Sequence, residues 1–181
     1  MPALYLVALL PPEPVFSQIW ALKQEVHART GSRNAVRLPP HLTLLPPMRQ
    51  PAEFEAACCR ALGGFAATQR PFLVGVQDFA WFGDRTLFVR VSEAAAVRHL
   101  HVALLSWCAT HLPAVPPETR PFTPHLTLAT RDLPAAQVPA LQQEFASRTF
   151  AATFAVTSIT LFRHDGQQWV SRETFALGEP S

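Results

Sequence analysis

The sequence predicts an α+β fold: a bilobal, pseudo-two-fold duplication with two antiparallel sheets flanking a central cleft and helices on the outside. Three observations predict it. The pentapeptide Pro-His-Leu-Thr-Leu occurs twice, at residues 40–44 and 124–128. The two histidines lie 84 residues apart, and other landmarks keep roughly that offset: Pro51 with Pro134, the turn at Gly83 with that at Gly166, and the strand at Leu4 with that at Phe88. Strand-like runs come in hairpins between helical runs, an order that favours antiparallel sheets with helices against them. With 181 residues, 49% of them hydrophobic, one domain can bury roughly 70% of its unfolded surface. The whole chain, 1–181, reads as that single domain, with an internal repeat of roughly 1–84 and 85–181.

The elements follow in order. Residues 3–10 are an apolar run stopped by Pro11-Pro12, hence a buried strand. Glu13-Pro14 opens a helix with Val15, Ile19, Leu22 and Val26 at helical spacing and Phe16 and Trp20 beside them. A polar loop at 31–37, with Arg29, Arg33 and Arg37 nearby, leads into the first motif strand. Pro51 suits a first helical position, and Phe54, Cys58, Leu62 and Phe65 form one helical face. Residues 72–80 and 86–91 pair as a hairpin around Phe82-Gly83-Asp84. Ser92 suits the cap of a helix whose face is Val97, Leu100, Leu104, Trp107 and Cys108. A proline-rich loop, 113–124, enters the second motif strand, and Asp132 and Pro134 start a helix with Val138, Leu141 and Phe145. Residues 150–162 read as one long strand. Its apolar parity changes near Thr157-Ser158, which predicts a bulge there. Asp165-Gly166 turns the chain into a return strand at 168–177.

Composition excludes several classes. A net charge of +2 is too small for a protein that coats long nucleic acid through bulk charge. Fourteen arginines stand against one lysine, Lys23; arginine suits bidentate phosphate contacts. Cys58, Cys59 and Cys108 show no metal-ligand spacing, and their odd number predicts a reducing, cytoplasmic setting. The apolar start lacks a basic lead and is cut by prolines, so it reads as a strand and not a signal. No run reaches the roughly 18 apolar residues of a membrane span. A monomer without a membrane partner is expected.

The chemistry lies in the repeated motif. Side chains alternate along a strand, so His41 and Thr43 share one face, as do His125 and Thr127, while the leucines point into a core. One imidazole can accept a proton while the other donates one, and hydroxyls can hold phosphate oxygens: a toolkit for phosphodiester chemistry. The alternative is a duplicated buried strand whose histidines only satisfy backbone groups. His99 and His101 sit two apart on a helix and do not share a face. With His27, His111 and His164 they read as surface or boundary residues. Two histidines are too few for catalytic zinc, and there is no Gly-x-Ser-x-Gly elbow and no phosphate-binding glycine loop that would suggest ATP. No metal and no cofactor are expected.

The two motifs in this order, with the first strand at 5–10 and Arg-Pro-Phe-Thr-Pro-His-Leu-Thr-Leu at 120–128, resemble the two-histidine phosphoesterase superfamily. The resemblance covers nearly the whole chain and is nearest to the branch of 2′-5′ RNA ligases and RNA 2′,3′-cyclic phosphodiesterases. It implies a bilobal fold with an open cleft, His41 and His125 as the catalytic pair, Thr43 and Thr127 as phosphate ligands, and no metal. That branch usually has an aromatic residue before a glycine in the turn between the middle strands, near the bound base. Phe82-Gly83 matches that place; a plain hairpin cap is the equally weighted alternative. The branch commonly carries an arginine directly after the second motif strand. Here Thr130 stands there and Arg131 follows, and a one-residue slip turns a side chain to the other face. Arg131 and Arg120 are therefore candidate substrate contacts only. Leu45-Pro46-Pro47 stands where that branch often has Phe-Leu-Gly, which marks a divergent subgroup. The implied activity is metal-independent hydrolysis of a 2′,3′-cyclic phosphate, on RNA 3′ ends or small nucleotides, to a 2′-phosphate. The reverse reaction would be an ATP-independent 2′-5′ ligation. Two alternatives stay open: a non-catalytic RNA- or nucleotide-binding module, and a phosphodiesterase for another cyclic phosphate or a 2′-5′ oligonucleotide.

Overall fold

The computed structural model describes residues 1–178. Its elements run β1 (Ala3–Leu9), α1 (Val15–Thr30), β2 (Leu42–Gln50), α2 (Phe54–Thr68), β3 (Phe72–Phe82), β4 (Thr86–Val91), α3 (Ala95–His111), β5 (His125–Thr130), α4 (Val138–Ser147), β6 (Ala151–Val156), β7 (Ser158–His164) and β8 (Trp169–Ala176), with a 3-10 turn at Ala135–Gln137. The fold is α+β. The two separate sheets expected from the sequence are replaced by one eight-stranded sheet, β6-β3-β4-β5-β2-β1-β7-β8, antiparallel throughout. Its middle is its weakest seam: β2 and β5 pair only at Leu42 and Leu126. Each strand is held firmly by its outer neighbour, and the two splay apart beyond that one pair.

The halves of the sheet are not halves of the chain. β3 and β4 lie beside β5, whereas β7 and β8 lie beside β1. This explains a second correction. Residues 150–162 are two strands and not one: β6 pairs with β3 at one edge of the sheet, and β7 pairs with β1 and β8 in the other half. The parity change read as a bulge marks the crossing at Thr157, whose carbonyl accepts the Leu177 N–H at 2.8 Å.

The helices cover one face. Their apolar stripes, such as Phe54, Cys58, Leu62 and Phe65 of α2 and Val138, Leu141 and Phe145 of α4, are buried. They join Tyr5, Val7 and Leu9 of β1 and the motif leucines in the main core. On the alternate face of β1, Leu6 and Ala8 with Phe162 form only a small cluster under Leu10, Leu38 and Trp169. Local chemistry sets the helix ends. Glu13 accepts the Ser17 N–H and hydroxyl at 3.1 and 2.7 Å at the start of α1. Gly31, in the left-handed region at φ 75°, ends that helix. Ser92 does not cap α3, which starts from Ala94 without a side-chain cap; its N–H is bonded to the Gly75 carbonyl at 2.9 Å. Pro51 is not the first residue of α2; it precedes the helix, and its carbonyl accepts the Phe54 N–H.

Candidate active site

Each motif begins with a buried proline, Pro40 or Pro124, which fixes the chain entering the strand. In both copies the histidine Nδ1 lies on the carbonyl two residues back: His41 on Pro39 at 2.8 Å and His125 on Thr123 at 2.7 Å. A carbonyl only accepts, so Nδ1 carries the proton and Nε2 is the free nitrogen of each neutral ring. Antiparallel pairing at Leu42 and Leu126 sets His41 across from Thr127 and Thr43 across from His125.

A second shared device follows each threonine. In β5, Leu87 pairs with Ala129 but Phe88 with Thr127, so Leu128 is an extra residue. In β2, Val7 pairs with Leu45 but Ala8 with Thr43, so Leu44 is its counterpart. Both are bulges, where two residues oppose one and the strand bends. Each leaves two adjacent residues buried, Leu44 with Leu45 and Leu128 with Ala129. Parity is thereby reset, and the next residues, Pro46 and Thr130, line the cleft.

That cleft has a volume of about 630 Å³. Thr43, His125 and Thr127 line it, with Phe82, Arg85, Arg120 and Arg131 around them. His41 is set deeper and is not part of the wall, yet it lies close enough to His125 for their charges to interact. Burial, the Lys23 ammonium and His125 push its pKa down to about 4, against the raising effect of the Pro39 carbonyl. Burial also lowers His125. Both rings are therefore neutral near pH 7 in the free protein.

Phe82 is 41% exposed. It lies on Phe88, with ring centroids 4.2 Å apart, and edge-on to His125 at 4.9 Å. Arg131 reaches the cleft despite the slip in sequence. Leu128 shifts the register, and Arg131 itself adopts φ 69° while its N–H bonds the Arg85 carbonyl at 3.1 Å. Among the described residues, the side chains of Arg85 and Arg131 have no hydrogen bond or ion pair, whereas Arg120 faces Glu118 at 3.5 Å. The 31–37 loop is pinned: Ser32 Oγ donates to Asp132 Oδ1, the Asn34 N–H to Oδ2 at 3.0 Å, and Asn34 Nδ2 to the Thr130 carbonyl at 3.1 Å.

Sequence reasoning missed five contributors. Phe88, Thr86 and Thr130 were hidden by the bulge; the two threonine hydroxyls bond each other at 2.7 Å. Arg85 gave no signal beyond its turn. His101, read as a surface or boundary residue, is 5% exposed, stacked on Phe122 at 3.7 Å and part of the cleft wall. The alternation Thr86, Phe88, Arg90 beside the motif strand was the available clue. The three cysteines are free. Among the described residues there is no group of three His, Cys, Asp or Glu side chains that could hold a metal ion, and no helix long and apolar enough to cross a membrane.

A splayed antiparallel sheet whose two inner strands each carry a threonine, with a histidine just before β2 and at the first residue of β5, defines a two-histidine phosphoesterase fold. The family described as the 2′-5′ RNA ligase superfamily matches residues 11–168, and the chain belongs to it. It is 29% identical over 134 residues to the RNA 2′,3′-cyclic phosphodiesterase of Geobacillus stearothermophilus, a match over 69% of this chain and 41% of that protein. The chain thus matches about two fifths of the length of that relative. Among solved structures, TT0787 of Thermus thermophilus superposes with a TM-score of 0.72 at 22% identity, covering 98% of this chain and 100% of that one. LigT of E. coli in complex with 3′-AMP does so with a TM-score of 0.68 at 21% identity, covering 98% and 99%. These two likenesses establish the fold.

Proposed function

We propose that this chain is a metal-independent phosphodiesterase that opens 2′,3′-cyclic phosphates on RNA 3′ ends or small nucleotides, leaving a 2′-phosphate. One observation carries the reading: both histidines are anchored through Nδ1 to a backbone carbonyl, which leaves two free Nε2 atoms beside the hydroxyls of Thr43 and Thr127. One Nε2 takes a proton from water as it attacks phosphorus, and the other protonates the departing ribose oxygen. The threonine hydroxyls hold the phosphate oxygens as negative charge builds in the five-coordinate state. An anion in the cleft raises the pKa of the neighbouring imidazoles, so substrate itself helps to load the proton that the acid requires. Phe82 offers an exposed ring for a base. Arg131, Arg85 and Arg120 offer cations to further phosphate oxygens. With a ribose 5′-hydroxyl in place of water as the attacking group, the same steps break the P–O3′ bond of the cyclic phosphate, protonate O3′ and form a 2′-5′ phosphodiester without ATP, a side reaction in the presence of water.

The test is turnover in the presence of chelator on three substrates: 2′,3′-cyclic mononucleotides, an RNA ending in a cyclic phosphate, and a 2′-5′ dinucleotide. Phosphorus NMR reads the product. A 2′-monoester from a cyclic phosphate, with kcat/KM above that for the 2′-5′ dinucleotide, is expected. A cyclic nucleotide that binds and stays unconverted would reduce the cleft to a recognition site, and a 3′-monoester would reverse the bond assigned here.

A further inference from the structure

Lys23 is the one lysine of the chain, and it is inside the protein: 1% of the residue is exposed. It sits on the buried stripe of α1 between Ile19 and Val26, where a leucine would pack without cost. Burying an ammonium costs several kcal/mol unless the charge is used or paired. Its one hydrogen bond among the described residues runs from Nζ to the carbonyl of Thr127 at 3.0 Å, the peptide just before the bulged Leu128. Among the described residues no carboxylate is paired with it. Glu25 and Arg29 of α1 pair at the surface with Arg148 and Glu144 at the end of α4. Of β5 it meets the Thr127 carbonyl, and no influence on His125 is resolved. The titratable group that feels its charge is His41, beside β2.

We propose that Lys23 is a positioning residue of the phosphodiester site: its ammonium clamps the Thr127 backbone at the bulge and supplies, from the helix side of the sheet, a positive charge that favours both an anionic phosphate at the two threonines and a neutral His41. The inference rests on the phosphodiester reading for what the cleft binds. The physical logic is linkage. A positive charge beside an imidazole disfavours its protonated form, and an anion bound above the lysine favours the charged ammonium. Lys23 and bound phosphate therefore stabilise each other across one strand. Burial alone pushes the lysine down to about 8, so an ordinary change of pH can read the coupling.

The single lysine makes the experiment direct. Protein labelled with carbon-13 lysine carries one lysine Cε signal, and its pH titration is followed with and without saturating inorganic phosphate. The expected midpoint is near 8 in the free protein, rising by about half a pH unit or more with phosphate bound. Ring signals of His41 and His125 are followed in wild type, Lys23→Met and Lys23→Arg. In Lys23→Met the His41 midpoint should rise and phosphate affinity should fall roughly tenfold; Lys23→Arg should restore both. A lysine midpoint unmoved by phosphate while the His125 signal responds would overturn the proposal, as would an unchanged His41 midpoint in folded Lys23→Met. If Lys23→Met does not fold, the wild-type lysine titration decides alone. Protein that shows the coupling but hydrolyses no cyclic phosphodiester keeps the Lys23 inference and loses the functional reading. If phosphate does not bind at all, the reading of the cleft falls, and the His41 midpoint in Lys23→Met decides for Lys23.

Discussion

His41 is the residue at which stability and function pull against each other. Its ring is half-buried, it feels the charge of Lys23, and its pKa stands at about 4 against an ordinary 6.5. In the unfolded chain it takes up a proton as pH falls through 6.5; in the folded protein it does so only near 4. Its contribution is therefore fully present above pH 6.5 and is lost as pH falls towards 4, a swing of about 3 kcal/mol at 1.36 kcal/mol per unit. Urea midpoints should fall between pH 7 and pH 4.5, and His41→Asn should flatten that slope; an equal slope in the variant would assign the acid sensitivity to other groups. Lys23 acts at the alkaline end. Its folded pKa is below that of the unfolded chain, so the unfolded state holds the extra proton between about 8 and about 10.4 and stability rises with pH across that window. The motif residues were legible because they are repeated. Lys23 was legible only as an oddity, a lysine four residues after Ile19 and three before Val26 on an apolar stripe. Composition counted it without placing it.

At the scale of elements, the two bulges turn a repeated pentapeptide into a site. Without Leu44 and Leu128 as extra residues, Pro46 and Thr130 would point into the core and the chain after β5 would leave the cleft. The cost is visible at Arg131, a non-glycine residue at φ 69°, where side chains are disfavoured. Arg131→Gly should leave stability unchanged or raise it by up to about 1 kcal/mol, while KM for a cyclic-phosphate RNA rises. A thermal midpoint that drops in this variant would show that the arginine side chain holds the loop instead. Adjacent buried residues after each threonine, Leu44-Leu45 and Leu128-Ala129, were the trace of the bulges in the sequence. They break the alternation of a simple strand, and an alternating reading passes over them. The same reading fused β6 and β7, because a parity change looks alike whether a strand bulges or crosses to another part of the sheet.

For the whole molecule, what matters is the seam. Helix faces, hairpins and fold class could be read from periodicity, because each is a local consequence of burying apolar side chains. The number of sheets could not, because it turns on one long-range pair, Leu42 with Leu126. That pair brings two outwardly similar halves together at their histidines and lets them diverge beyond. Charge is sparse around the result. The net charge is +2, and Arg85, Arg120 and Arg131 are the arginines of the cleft. Binding should therefore depend only mildly on salt. For RNA ending in a cyclic phosphate, the plot of log affinity against log salt should have a slope of about −2, from three phosphate contacts at roughly −0.7 each. A slope steeper than about −5 would mean an extended RNA track outside the cleft.

The central claim is that the two histidines work as one acid–base unit, and single-turnover kinetics of His41→Ala, His125→Ala and the double variant on a 2′,3′-cyclic nucleotide test it most directly. Each single change should slow the chemical step by roughly 10² or more. The double variant should be little slower than the worse single one, because groups that act together are not additive. Wild-type turnover in either single variant, or losses that simply multiply in the double, would contradict it.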